Sequence, residues 1–535
     1  MTLVLNIFKN SIFSIGFNFP TLITLFLFIL MTISILNIKI FSINPKVIKY
    51  LTLLTVFIKI INSYEDFLEV NQDSVAWVVT ALRMDELNLF EYQASWDHKG
   101  SLIYWVYFGI YKMFKVSNNL WANYSIMFIV ISYVISYYCY KILLKEEKES
   151  TLLPFLVSTL IFLNLIFSPG EGYPVFDTRF LGSALIFFSI YNTLKGAFIP
   201  SSVFLALAVI CLPSYALTAA TLFIYIIYIN KDKQEKIKKI ITSFFGVNLL
   251  YLLYLYLTSQ LLDFYNLSIK YNLMLRGVGT YFPFEKIVEN NTYLFLIFIF
   301  STVLINPLYK KFDKSFLIIY LWGVLSLAHL VLTGPRFVQY DQLIIISLNL
   351  LGFYLIRWVV NFIKLQKENT IFKNLIYILI ISVPLNIASI SIIQSLEITN
   401  IKSSNVFQNF QEIFLFEDDS LVYKEKPKFA LFYVDGTDWK AVMDSYNFLP
   451  STRVWQLYWH KRDSSWAESF NWDELISNEE FENVFFSDLI NEKPQYAIID
   501  INYLESHGNY LYSYVLNNYE IINCEKKYCI YEINK

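Results

Sequence analysis

Residues 198–230 read FIPSSVFLALAVICLPSYALTAATLFIYIIYIN, a long, predominantly apolar run with Pro213 in its interior. A helix needs about 20 apolar residues to cross a bilayer. The run is too long for one such helix, and a proline in a helix interior removes a backbone donor and clashes with the preceding turn. It therefore predicts a tight pair of helices that breaks at Pro213. Similar apolar segments occur on both sides of it, at 21–43, 46–63, 120–140, 151–168, 178–195, 239–261, 291–309, 315–333, 338–361 and 371–396. A further stretch, 99–115, either spans or lies along the membrane surface. The fold class expected is a polytopic α-helical membrane protein of roughly 12–13 spans.

Composition agrees. Hydrophobic residues make up 56 % of the chain and charged residues 16 %, and the mean hydropathy is +0.46. A soluble chain of 535 residues would need more charge to cover its surface. The net charge of −2 excludes a basic nucleic-acid-binding chain. The first long apolar segment lacks a basic start and a small-residue cleavage site, so no cleavable signal peptide is expected.

Basic residues set the orientation. Lys141, Lys145 and Lys148 share one connection, and Lys231, Lys233, Lys236, Lys238 and Lys239 another. Lys310, Lys311 and Lys314 form a third, and Arg357, Lys364, Lys367 and Lys373 flank a fourth. Placing all four in the cytoplasm satisfies the positive-inside rule. Segments 64–98, 169–177, 262–290, 334–337 and 397–535 then face outside.

The loop 64–98 carries Glu65, Asp66, Glu69, Asp73, Asp85, Glu86, Glu91 and Asp97 against Arg83, and ends at His98-Lys99. Val75, Val78, Val79, Leu82 and Leu87 recur at near-helical spacing, which predicts amphipathic helices on the membrane surface. A loop of this length in a compact membrane domain is commonly functional. The bland alternative is a solvated acidic rim.

From Asp73-Ser-Val-Ala-Trp77 through Trp96-Asp97-His98-Lys99-Gly100-Ser-Leu-Ile-Tyr104-Trp105, the chain resembles the first outer loop of GT-C glycosyltransferases. The branch is the bacterial one related to protein O-mannosyltransferases and lipid A aminoarabinose transferase. In that branch an acidic residue is followed by His-Lys-Pro-Pro-Leu-x-Tyr-Trp. Here His-Lys, the Leu and Tyr-Trp are kept, and Gly100 and Ser101 replace both prolines. Tyr173-Pro-Val-Phe-Asp177-Thr-Arg179 is similar to the second acidic motif. Gly334-Pro-Arg336-Phe-Val-Gln-Tyr340-Asp341 is similar to an Arg-x-x-x-His-Tyr element, with Gln339 in place of His. Phe264-Tyr-Asn266 and Tyr271-Asn272 are similar to a further outer segment.

The resemblance implies a catalytic membrane domain over 1–400 and a polyprenyl-phosphate-linked monosaccharide as donor, with membrane lipid around it. The reaction implied is an inverting single displacement onto an acceptor hydroxyl of a protein, lipid or glycan. That chemistry needs a general base for the hydroxyl proton and cations where charge develops on the leaving phosphate. Asp73 is expected as base, with Lys99 and Arg336 on the phosphate and His98, Tyr340 and Asp341 lining the donor site. Asp66 and Glu69 compete with Asp73. Asp177 is read as a catalytic orienting residue, as a ligand for a divalent metal, or as the structural partner of Arg179. His98 doubles as a cap neighbour, Arg336 as a snorkelling side chain, and Tyr340 and Asp341 as interface anchors. His329, inside an apolar span, is expected to make a buried hydrogen bond. No cluster at zinc-ligand spacing is present in the sequence.

The remaining 401–535 reads as a soluble extracytoplasmic α/β domain. Strand-like runs lie at 428–434, 453–459, 495–501 and around 519–533, with helical patterns near 438–448 and 479–491. Cys524 and Cys529 flank a turn and suit a disulfide outside the cell, whereas Cys139 and Cys211 read as core residues. Trp439, Trp455, Trp459, Trp466 and Trp472 suit either sugar stacking or core packing.

Two other function classes fit part of the pattern. A lipid-linked polysaccharide polymerase or ligase would use the same donors on the same side, with its long loop late among the spans. A transporter or flippase would also have many spans. It would be expected to show internal repeats, and here the polar features gather at the outer face. A non-catalytic relative with a degenerate site is a third reading of Gly100-Ser101 and Gln339.

Overall fold

The computed structural model describes residues 50, 72–95, 97, 99–114, 120–146, 152–166, 177–274, 292–308, 314–333, 342–365, 428–432, 449–450, 487–488, 490–500, 509–525 and 528–534. Side chains are not described at 72–75. The expected spans 21–43 and 371–396, and nearly all of 46–63, lie outside the described residues.

The helical body begins with α1 (Gln72–Glu86), the short α2 (Glu91–Ala94) and α3 (Ser101–Phe114). It continues with α4 (Leu120–Glu146), α5 (Leu152–Ile166), α6 (Thr178–Leu194) and α7 (Phe198–Cys211). The apolar run breaks where expected. Leu212 is extended, a 3-10 turn covers Pro213–Tyr215, and α8 (Ala216–Ile229) follows. Pro213 stands at the first position of the turn, where a missing amide hydrogen costs nothing. Further on come α9 (Gln234–Leu257), α10 (Leu261–Phe264), a π-helical turn at Tyr265–Lys270 and α11 (Tyr271–Met274). α12 (Thr292–Leu308), α13 (Lys314–Thr333) and α14 (Gln342–Leu365) complete the body. The stretch 99–115, left open in the sequence, is helical as α3.

Among the described residues, two helices are long and apolar enough to cross a membrane, Ile126–Glu146 and Gln234–Leu257. α9 buries only Ile240, Tyr251 and Leu255. Phe245, Leu249, Leu250, Leu253 and Tyr256 on its other faces stay exposed, so the helix turns a broad apolar surface outward. α7 is the hub, packing against α3, α6, α8 and α9. Its contact with α6 includes a cluster of hydroxyls: Ser201 Oγ lies 2.8 Å from both Ser189 Oγ and Thr193 Oγ1. Small hydroxyl residues of this kind let apolar helices approach closely. Gly196, with φ of 75°, allows the tight α6–α7 connection.

α1 departs from expectation. It is a helix, but most of its described side chains are enclosed by the protein rather than divided into a buried and an exposed face. Ala76, Trp77, Val78, Val79, Thr80 and Ala81 are wholly buried, and so, nearly, are Leu82 and Arg83. The helix packs against α2 and α3 and is met by a β-strand from the far end of the chain. Its one long basic side chain is satisfied internally, with Arg83 Nε donating to the Ala94 carbonyl at 3.0 Å.

That strand belongs to a five-stranded sheet. β1 (Lys428–Phe432) lies between β2 (Leu449–Pro450) and β3 (Tyr496–Asp500), parallel to both. β5 (Tyr528–Ile533) runs antiparallel to β3 and to β4 (Tyr519–Glu525), giving the order β2-β1-β3-β5-β4. β2 is the strand against α1. Cys524 and Cys529 face each other across the β4–β5 pair and are joined by a disulfide. The helix α15 (Asn509–Asn518), which precedes β4, was not among the expected helical patterns. The expected strand at 453–459 and helix at 438–448 lie outside the described residues.

Candidate active site

The site is assembled from segments far apart in sequence. Asp97 is fully buried. Its Oδ2 accepts from Trp77 Nε1 of α1 at 3.0 Å and from the Tyr104 hydroxyl of α3 at 2.9 Å. The solvated-rim reading therefore fails for this carboxylate. Glu91, also fully buried, accepts from the Tyr254 hydroxyl of α9 at 2.8 Å. Asp85 forms an ion pair with Lys112. Burial of three carboxylates in one loop is costly unless each is hydrogen-bonded or paired, and each has such a partner.

Lys99 is 3 % exposed. Its carbonyl accepts from the Tyr92 hydroxyl at 2.9 Å and from Ser268 Oγ of the π-helical turn at 2.6 Å. Burial holds the Tyr92 phenol well above its ordinary pKa, so it remains a hydrogen-bond donor. The Tyr92 amide donates to Gln260 Oε1 at 2.9 Å. These bonds fasten the 261–274 segment to the loop that carries Lys99.

Gly100 explains one departure from the family pattern. Its amide donates to the Cys211 carbonyl at 3.2 Å, which a proline could not do. A Cβ at this position would lie 2.0 Å from the Ile210 carbonyl oxygen and 2.7 Å from that of Cys211. The backbone here rests directly on the end of α7, and glycine is the residue that permits it.

The same end of α7 reaches the second acidic motif. Cys211 Sγ lies 3.4 Å from the Thr178 carbonyl. Asp177 caps α6, its Oδ1 accepting from the Arg179 and Phe180 amides at 2.8 Å each. Oδ2 pairs with Arg179 Nη1 at 2.8 Å, and both residues are buried. A capping aspartate satisfies amides that the helix leaves without partners. A divalent ion at Asp177 would share Oδ2 with a guanidinium, so the described geometry does not fit a metal ligand there. Among the described residues no group of three or more His, Cys, Asp or Glu side chains is placed to hold a metal.

Of the residues expected at the site, Lys99 and Asp177 are placed with their side chains and are linked through Gly100, Cys211 and Thr178. Asp73 is placed by its backbone in the first turn of α1, one turn before Trp77. His98, Arg336, Tyr340 and Asp341 lie outside the described residues, as do Asp66 and Glu69. His329 Nε2 lies 2.9 Å from Ser214 Oγ, the buried hydrogen bond expected of it. In the sequence Asp97 and Glu91 are two of several acidic residues in the loop, and no motif marks Gln260 or Ser268. The adjacency of Asp97 to His98-Lys99 is the one signal that pointed to any of them.

No family model matches this sequence, and no curated protein matches it. Solved structures do. ArnT from Cupriavidus metallidurans in the apo state has a TM-score of 0.50 at 10 % identity, over 85 % of this chain and 92 % of that one. A structure of ArnT from the same organism bound to undecaprenyl phosphate has a TM-score of 0.49 at 10 % identity, over 89 % and 97 % of the two chains. The apo likeness shows a shared fold.

Proposed function

We propose that this chain is a GT-C-type glycosyltransferase of the cytoplasmic membrane. It moves a monosaccharide from a polyprenyl-phosphate donor to an acceptor hydroxyl at the outer face, with inversion. The observation that carries the reading is the seating of Lys99-Gly100 on the end of α7, which joins the first acidic motif to the second. Two motifs that resemble one family, and that stand far apart in sequence, meet at one place. The ArnT-like fold supports the reading by giving that place a known architecture.

The chemistry follows from the residue types. Asp73 takes the acceptor proton as the hydroxyl attacks the anomeric carbon. The bond to the phosphate oxygen breaks on the opposite face, and Lys99 with Arg336 stabilises the charge left on the phosphate. His98, Tyr340 and Asp341 line the donor. Asp177 holds the start of α6 and orients the segment beside Lys99. The membrane domain spans 1–400 with about 12–13 helices, and 401–535 forms an extracytoplasmic α/β domain. Contact of β2 with α1 supports placing that domain on the side of the first loop.

The test is a panel of polyprenyl-phosphate sugars offered to the purified protein in lipid nanodiscs, with release of polyprenyl phosphate as the readout. Turnover of one donor class supports the assignment. Silence across the panel, with candidate acceptors present and the protein folded, overturns it.

A further inference from the structure

We infer that Asp97 is a positioning residue that fixes the helix bearing Asp73 against the segment bearing Lys99. The inference rests on the glycosyltransferase reading for its consequence, but not for its geometry. One oxygen of Asp97 is shared by Trp77 Nε1 at 3.0 Å and the Tyr104 hydroxyl at 2.9 Å. All three residues are wholly buried. Trp77 stands one turn after Asp73 on α1, a spacing that puts two residues on the same helix face. Tyr104 is in the first turn of α3, which starts two residues after Lys99.

Asp97 therefore ties the two elements together at a point about one turn from each proposed reacting group. The Trp77 ring also meets Tyr107 of α3 edge-on at 5.4 Å, so the joint is packed as well as hydrogen-bonded. An indole N–H donates only, and a buried carboxylate accepts only. The pairing is thus directional, and no rotation of Trp77 replaces it. The distance between a base on α1 and a cation on the 99–101 segment is set by that joint. A small error in such a distance lowers turnover steeply.

The test uses the full-length protein with Asp97→Ala, Asp97→Asn and Trp77→Phe. Donor turnover is expected to fall about 10²-fold in kcat for Asp97→Ala, with the donor KM changed by no more than about threefold, as a group acting only on the transition-state geometry requires. Asp97→Asn, which keeps an acceptor oxygen, falls less. Trp77→Phe lowers kcat in the parent but adds nothing in the Asp97→Ala background, because its effect passes through Asp97. Additive losses, or a rise in KM alone, overturn the proposal.

Hydrogen exchange reads the joint without any substrate. Amides of 76–83 and 97–101 exchange faster in Asp97→Ala, while those of α8 and α9 do not. Unchanged exchange in the first two segments overturns the proposal whatever the activity shows. Faster exchange in a protein that turns over no donor leaves the joint supported and overturns the functional reading instead.

Discussion

The Gly100 amide donates to the Cys211 carbonyl at 3.2 Å, so the segment that follows Lys99 is seated on the end of α7. Pro213 ends that helix two residues later, and the chain turns there through Pro213–Tyr215. A helix break legible in the sequence thus becomes the floor on which the Lys99-Gly100 segment rests.

Gly100→Ala places a methyl 2.0 Å from the Ile210 carbonyl oxygen, a backbone atom that cannot swing aside. A loss of about 2 kcal/mol or more is expected from such overpacking. Gly100→Pro, which introduces the residue of the motif that this stretch resembles, is expected to cost more because it also removes the hydrogen bond to Cys211. Thermal melts in detergent check both, and a parent-like melt for either variant contradicts the close approach.

Asp177 offers a test of holding against chemistry. Asp177→Asn keeps a good cap but removes the carboxylate from Arg179, a buried pair whose breaking costs about 3 kcal/mol. Asp177→Ala loses the cap too, at about 1 kcal/mol more. The denaturation midpoints should therefore fall in the order parent, Asn, Ala. A parent-like midpoint for Asn with turnover abolished would assign Asp177 to the reaction rather than to the fold.

Tyr254→Phe removes the hydrogen bond to Glu91 and leaves a buried carboxylate without it, at a cost of about 1–3 kcal/mol. The same change in a Glu91→Leu background removes a donor that no longer has this acceptor, and is expected to cost much less. A double-mutant cycle measured by chemical denaturation reads the difference as a coupling. A coupling near zero contradicts the pairing at 2.8 Å.

Cys524 and Cys529 are disulfide-bonded, while Cys139 and Cys211 are buried thiols. Protein unfolded from cells directly into denaturant with an alkylating reagent should be labelled at two cysteines without reduction and at four when reduced first. The loop closed by the bond is short, so reduction is expected to lower stability by only about 2 kcal/mol. Four thiols without reduction would place this hairpin in a reducing compartment and contradict the outside assignment.

The helical body was readable because its signals are local: length of apolar run, a proline, a basic connection. The 198–230 run and its break show this best, and so does the β4–β5 hairpin with its cysteine pair. What escaped reading was set by distant partners. The spacing of Val75, Val78, Val79, Leu82 and Leu87 predicts a helix in loop 64–98, but not that Asp97 is buried and bonded to Trp77, 20 residues before it. Tyr92 is held by Gln260, which lies 168 residues away. Nothing near Gln260 marks it. α15 is not legible because Asn509-Tyr-Leu-Tyr-Ser-Tyr-Val-Leu is rich in Tyr and Val, which favour strands.

The central claim is that α1 and the segment ending at Lys99 carry the reaction. Its most direct test is sugar release from a polyprenyl-phosphate donor by the purified protein, compared with Asp73→Asn and Lys99→Met at equal folded amounts. The account predicts turnover in the parent that drops about 10³-fold or more in each variant, as losing a general base or an electrostatic stabiliser does. Turnover indifferent to both substitutions would contradict it and move the chemistry to other outer residues.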